Sequence, residues 1–150
     1  MSDGNAVLVA SVDLKALPIL HRLRRAVFIE GQQVPEELEI DGRDERCLHF
    51  LATLDGRPVG CARMREESGA AKAERVAVLA SHRGEGVGRA LMRALEASAA
   101  EADFAEVVLH AQEEVIVFYE RLGYRAEGPL FEEAGIMHRQ MRKPLGPARG

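Results

Sequence analysis

The segment that most constrains this chain runs from Glu74 to Ala99. Glu74-Arg75-Val76-Ala77-Val78-Leu79 has strand character, and the run Arg83-Gly84-Glu85-Gly86-Val87-Gly88 cannot continue it. Val87, Leu91, Leu95 and Ala99 then recur at i, i+4 with Ala90 and Ala94 beside them, the spacing of an amphipathic helix. A strand that passes through glycines into a helix points to an α/β layering. It also sets the first helical N–H groups, with the positive end of the helix dipole behind them, at the strand's C-terminal end. Glycines let a backbone crowd an anion there, and three or four amides helped by Arg83 or Arg89 at roughly 1.5 to 3 kcal/mol each would hold a pyrophosphate.

Two common phosphate loops fail on these residues. A GxGxxG fingerprint begun at Gly84 would need glycine where Arg89 stands, and begun at Gly86 it would need glycine at Leu91. A Walker loop needs Gly-Lys-Ser/Thr, and no lysine lies between Lys72 and Lys143. Glycine spacing alone leaves an anion cradle and a ligand-free connection both open.

The rest of the chain supports the same layering. Ala6 to Ala10 reads as a first strand, followed by a helix from Leu14 with Asp13 as N-cap, Leu20, Leu23 and Val27 on its apolar face, and Pro18 in its first turn. Residues 30–45 form an irregular acidic stretch with a helical turn after Pro35. Leu48 to Leu54, Val59 to Glu66 and Ala71 to Leu79 read as a meander joined at Asp55-Gly56 and Ser68-Gly69. After the long helix, Phe104 to Ala111 is a strand whose order favours parallel pairing. Val115, Phe118, Tyr119 and Leu122 mark a second helix, closed at Gly123, and Tyr124 to Glu127 and Ile136 to Met141 are the last strands.

At 150 residues the chain reads as one domain over 1–150, with the tail 144–150 frayed. Its formal charge of −4 provides no general field for nucleic acid. No apolar run is long enough for a membrane span, and the start lacks a leader pattern, so a soluble cytoplasmic protein is expected. Cys47 and Cys61 have neither disulfide nor metal spacing, so no metal site is expected, and an aromatic content of 5% argues against stacking platforms.

Arg83-x-x-Gly86-x-Gly88 after a Val76-Ala77-Val78 strand, with Phe118-Tyr119-x-x-x-Gly123-Tyr124 downstream, resembles the GNAT superfamily of acyl-CoA-dependent N-acetyltransferases. Arg24-x-x-Val27-Phe28, Gln32-x-Val34-Pro35, Asp41, His49, Ala111-Gln112 and Ala134-Gly135-Ile136-x-His138-x-x-Met141 resemble its ElaA/YjcF-like branch, over residues 8–143. The resemblance implies a mixed, mostly antiparallel sheet of six or seven strands, splayed between the fourth and fifth and flanked by about four helices. It also implies acetyl-CoA as co-substrate. Val76, Ala77 and Val78 would meet the pantetheine arm, and Arg83, Gly84, Glu85, Gly86, Val87, Gly88 and Arg89 would hold the pyrophosphate. The branch usually has Glu-Gln where this chain has Gly31-Gln32, so the role of that Glu does not pass to Gly31, and Glu30 would project from a different backbone position.

The residues themselves leave Tyr119 open between a core tyrosine and an acid, and family position makes it the donor to the departing sulfur. A tyrosine near pKa 10 is a weaker acid than a thiol near 8.5, so full proton transfer is uphill by about 2 kcal/mol and a hydrogen bond is expected instead. The amine must lose a proton before attack. Glu74, Glu37, Asp41, Glu114 and His138 are candidates for that step, each of them taken singly more readily read as a solvated or structural side chain, and His49 and His110 are similarly ambiguous. Glu74 is taken as the catalytic partner of Tyr119, and Gln32, Glu37, Asp41 and His138 as acceptor-binding residues. The reading is direct attack by a small-molecule or peptide amine in a ternary complex, with a homodimer left open. A non-catalytic CoA-binding regulatory or partner-binding module is the alternative, kept alive by Gly31.

Overall fold

The computed structural model describes residues 6–146. Its strands are β1 Val7–Val12, β2 Leu48–Leu54, β3 Arg57–Glu67, β4 Ala70–Val78, β5 Glu106–Gln112, β6 Arg125–Glu133 and β7 Ile136–Pro144. They form one sheet in the order β1-β2-β3-β4-β5-β7-β6, antiparallel throughout except for the parallel pair β4-β5. The four helices are α1 Leu17–Arg24, α2 Glu36–Glu39, α3 Val87–Glu101 and α4 Ile116–Arg121. This is the mixed, mostly antiparallel architecture the resemblance implied.

Local chemistry sets the elements. Asp13 accepts a hydrogen bond from Lys15 N, and Pro18 sits in the first turn of α1, where its missing N–H costs nothing. The chain continues past α1 as a π-helical turn, Arg25–Glu30. Both hairpins of the meander turn on two residues of positive φ, Asp55 and Gly56 (53° and 79°) and Ser68 and Gly69 (53° and 84°).

A third such turn, Ala134-Gly135 (54° and 79°), joins β6 to β7. Strand signals confined to 124–127 and 136–141 therefore understate this hairpin, because alanine gives no turn signal and Gly128-Pro129 looks like a break. The pair instead occupies the irregular register between Glu127 and Phe131 on an edge strand, where proline is tolerated. Pro144 still belongs to β7, and Leu145 N donates to Ala105 O at 2.8 Å, so the expected loose tail is held up to this point. Residues 147–150 lie outside the described residues.

The sheet has two different faces. Ala71, Ala73, Val107, Leu109, Ala111 and Met141 pack on one face against Leu91, Met92, Leu95 and Ala99 of α3. On the other, Cys61 and Ala77 pack beneath Leu20, Leu23 and Val27. That second helical layer lies over β3 and β4. β4 and β5 pair only at Ala71↔Val107, Lys72↔Val108 and Ala73↔Leu109. Beyond them Arg75 takes a positive φ of 55°, β4 shifts register against β3, and the two parallel strands separate as expected.

Candidate active site

The separated strands open into a cavity of about 740 Å³, lined also by the loop after β4, by α4, by the segment carrying Gln32 and by the β6–β7 turn. Main-chain direction along its β4 wall follows from one bond. Leu79 N donates to Val59 O at 2.9 Å, so by ladder alternation Ala77 also addresses β3, while Val76 and Val78 turn their backbone groups into the gap. Val78 O accepts from Arg83 Nε at 3.3 Å, in keeping with that direction.

The glycine loop leads into α3 without a capping side chain. Ala90 N bonds Gly86 O, which leaves the first-turn N–H groups of Val87, Gly88 and Arg89 available at the mouth of the cavity. Gly86 has φ of 82° with open space where a Cβ would stand, so it is required for backbone conformation. Gly88 is required for a different reason. A Cβ there would lie 3.1 Å from Phe118 Cζ, so this glycine lets α3 approach α4 rather than making room for an anion.

The cavity brings together Gln32, Glu74, Val76, Val78, Arg83, Gly84, Gly86, Val87, Gly88, His110, Glu114, Tyr119 and His138 from the residues singled out in the sequence, with Glu114 itself exposed at its edge. Five others stand elsewhere. Ala77 is buried against Leu20 and Leu23 on the helical side of β4. Glu85 and Arg89 are exposed and do not line the cavity. Glu37 is exposed on α2, and Asp41 binds Arg63 and Arg75.

Tyr119 is 7% exposed, with Phe118 and Tyr124 set edge-on at ring distances of 4.9 and 5.7 Å. Its hydroxyl makes no hydrogen bond among the described residues and is not walled off from the cavity. Burial pushes the phenol further above its usual range, so this hydroxyl is suited to donating a hydrogen bond, not to releasing its proton.

A buried ionic network forms the floor on the β3–β4 side. Arg24 reaches Glu39 and Asp44, both at 2.7 Å, and Arg63 binds Asp44 at 2.9 Å as well as Asp41 and Glu74. Arg75 meets Glu39 at 2.9 Å, and Arg65 meets Glu74 at 2.9 Å. Glu39, Asp41 and Asp44 of the acidic stretch are thus paired internally, while Glu30, Glu37 and Glu45 stay exposed. His49 belongs to the same structure, since its Nε2 donates to Asp44 O at 2.7 Å. Glu74 faces the cavity, yet Arg65, Arg63 and Lys72 outweigh its burial and hold its carboxyl down at about 2. Held down in this way, Glu74 is a poor proton acceptor near neutrality.

The opposite wall carries residues the sequence reading passed over or left ambiguous. His110 Nδ1 bonds Glu133 at 3.0 Å, and this bond, with the nearby His138 and Lys72, lowers the Glu133 carboxyl. His138 Nδ1 lies 2.7 Å from Ile136 O; a carbonyl only accepts, so that nitrogen carries the proton and the neutral ring keeps Nε2 as an acceptor. Gln32 and Gln112 exchange amide bonds of 3.1 and 2.9 Å across the cavity. A Cβ at Gly31 would fall 2.6 Å from Val27 O, so the present backbone at the end of the π turn requires glycine. Glu30 is exposed and does not line the cavity.

A family model described as an acetyltransferase (GNAT) domain matches residues 13–145. The uncharacterised N-acetyltransferase YjcF of Bacillus subtilis is 41% identical over 122 residues, spanning 81% of this chain and 87% of that protein. An acyl-CoA N-acyltransferase from Pseudomonas aeruginosa superposes with a TM-score of 0.80 at 28% identity, covering 93% of this chain and 99% of the other. Escherichia coli ElaA does so with a TM-score of 0.80 at 26% identity, covering 92% and 99%. With the splayed sheet, the glycine loop and these likenesses in agreement, the chain belongs to the GNAT acetyltransferase family and is an acyltransferase.

Proposed function

We propose that this protein transfers the acetyl group of acetyl-CoA to a primary amine by direct attack in a ternary complex. The observation that carries the reading is the gap between β4 and β5, with the Val76 and Val78 backbone groups on one side, uncapped α3 amides at one end and the Tyr119 hydroxyl inside. Val76 and Val78 fit the amide-bearing arm as an added strand would, and Arg83 with the Val87, Gly88 and Arg89 amides fits the pyrophosphate. Acetyl-CoA supplies an activated thioester: the amine nitrogen bonds to its carbonyl carbon, the C–S bond breaks, and the products are an amide and a thiol.

The residues divide the proton work. Tyr119 donates a hydrogen bond to sulfur as charge develops there. Handing an ammonium proton to Glu74 would be uphill by roughly 11 kcal/mol, from a pKa of about 10.4 to one of about 2. His138, through Nε2 and water, takes that proton instead, and Glu74 serves to hold Arg63 and Arg65 in place. Thermal unfolding with acetyl-CoA, ATP and NAD, followed by CoA thiol release across a panel of amines, tests the proposal. Selective stabilisation by acetyl-CoA and turnover with some amine support it; equal stabilisation by all three nucleotides refutes it.

A further inference from the structure

The β4 wall of the cavity carries a cation that the proton work above does not use. Lys72 lines the cavity and is 8% exposed. Its nearest carboxylates, Glu74 and Glu67, stand at 3.5 and 3.6 Å, and its ammonium makes no hydrogen bond among the described residues. These are loose ion pairs, through Glu67 Oε2 and Glu74 Oε2, and both carboxylates also serve arginine: Glu74 accepts from Arg63 and Arg65, and Glu67 accepts from Arg65 through Oε1 at 2.7 Å. No side-chain nitrogen among the described residues is both fully buried and unpaired, so this ammonium opens onto the cavity, where a ligand can reach it.

Sheet register places this ammonium relative to the chemistry. Lys72 pairs with Val108 at the apex of the gap, and alternation puts His110 and Gln112 on the same face, with Gln112 opposite His138. One wall therefore presents a cation deep in the gap. The other presents the Glu133 carboxylate, held by His110, and the His138 ring nearer its mouth. A ligand bearing charges of both signs matches this arrangement, its amine toward Glu133 and His138 and its anion toward Lys72. With Glu67 and Glu74 beside the lysine, a single negative charge fits better than a phosphate dianion, which one ammonium would not offset.

Building on the acetyltransferase reading above, we propose that Lys72 binds a carboxylate of the acceptor, so that the acetylated amine belongs to an amino acid or a similar amine-bearing acid. Lys72 acts in specificity and takes no part in bond making.

The test compares acceptors that differ only in that charge. Glycine, β-alanine, 4-aminobutyrate and the common α-amino acids are each assayed beside their carboxamides, with 2-aminoethyl phosphate included, by CoA thiol release. For the best pair, kcat/KM of the wild type should favour the acid by at least tenfold. Lys72→Met should reduce that ratio below about threefold, Lys72→Arg should restore part of it, and stabilisation by acetyl-CoA should show that both variants are folded. A ratio near one in the wild type, a ratio unmoved by Lys72→Met, or preference for the phosphate would overturn the assignment while leaving the acetyltransferase reading standing. Absence of turnover with every pair beside turnover with other amines would overturn the carboxylate assignment alone, and absence of turnover across the whole amine panel, despite acetyl-CoA binding, would overturn both.

Discussion

Replacing Arg24 with methionine measures what the buried network contributes. The Arg24 side chain is 2% exposed, and its guanidinium serves Glu39 at 3% and Asp44 at 10%. Removing one partner of a buried ion pair typically costs about 3 to 5 kcal/mol, because a charge is stranded. Here Arg75 still reaches Glu39 and Arg63 still reaches Asp44, both at 2.9 Å, so the lower end, about 3 kcal/mol, applies. For a domain of this size that corresponds to a fall in Tm of roughly 6 to 12 °C. Urea unfolding followed by circular dichroism at pH 7 gives the free energy directly. Arg24→Lys should recover little, because one ammonium cannot span two carboxylates as a planar fork does. A difference below about 1 kcal/mol at pH 7 would refute the assignment of stability to this arginine.

Three further outcomes are expected. Tyr119→Phe should lower kcat by roughly 10² to 10⁴-fold, if chemistry limits turnover, with acetyl-CoA affinity nearly unchanged in calorimetry; unchanged kcat would return Tyr119 to a packing role. Gly86→Val should weaken acetyl-CoA at least tenfold in the same titration, because a β-branched residue resists a φ of 82°, and retained affinity would move the anion site elsewhere. Asp41 and Glu74 are both held at about 2 in the fold, below their ordinary values near 4, so they stabilise the protein above pH 4 to 5 and that contribution drains away as pH falls toward 2. Urea midpoints that stay level from pH 5 to 2.5 would contradict this.

The elements that could be read from sequence are those where local chemistry and tertiary fate agree. Leu91, Leu95 and Ala99 give α3 because a helix with one buried stripe has a periodic signature, and Asp55-Gly56 gives a hairpin because both residues accept positive φ. β6 was understated because an exposed edge strand has no alternation to display. The acceptor wall was hidden more deeply. Which carboxylates are free depends on which arginines they meet, and Asp44 with Arg63, or Glu39 with Arg75, are partners 19 and 36 residues apart. Charge counting therefore saw an acidic loop where the fold makes a neutralised floor. Arg63 is one of three arginines in β3, and nothing in the sequence sets it apart as the buried one.

Arg75 links the two halves of the site. Its φ of 55° belongs to the irregularity that turns β4 away from β5, a conformation that costs a non-glycine residue on the order of 1 to 3 kcal/mol. The same residue binds Glu39 through Nε at 2.9 Å and the Leu38 and Glu39 carbonyls through Nη2 at 3.2 and 3.0 Å. Those bonds join the strained turn to α2, whose position is fixed from the other side by Arg24. The strain that opens the gap between β4 and β5 is thereby offset by the contacts that anchor α2, whose Leu38 and Glu39 line the same cavity. A glycine at this position would adopt the backbone more readily but would abandon the anchor. An arginine in a left-handed conformation is thus explained by the two sites it holds in register, one through its backbone and one through its guanidinium.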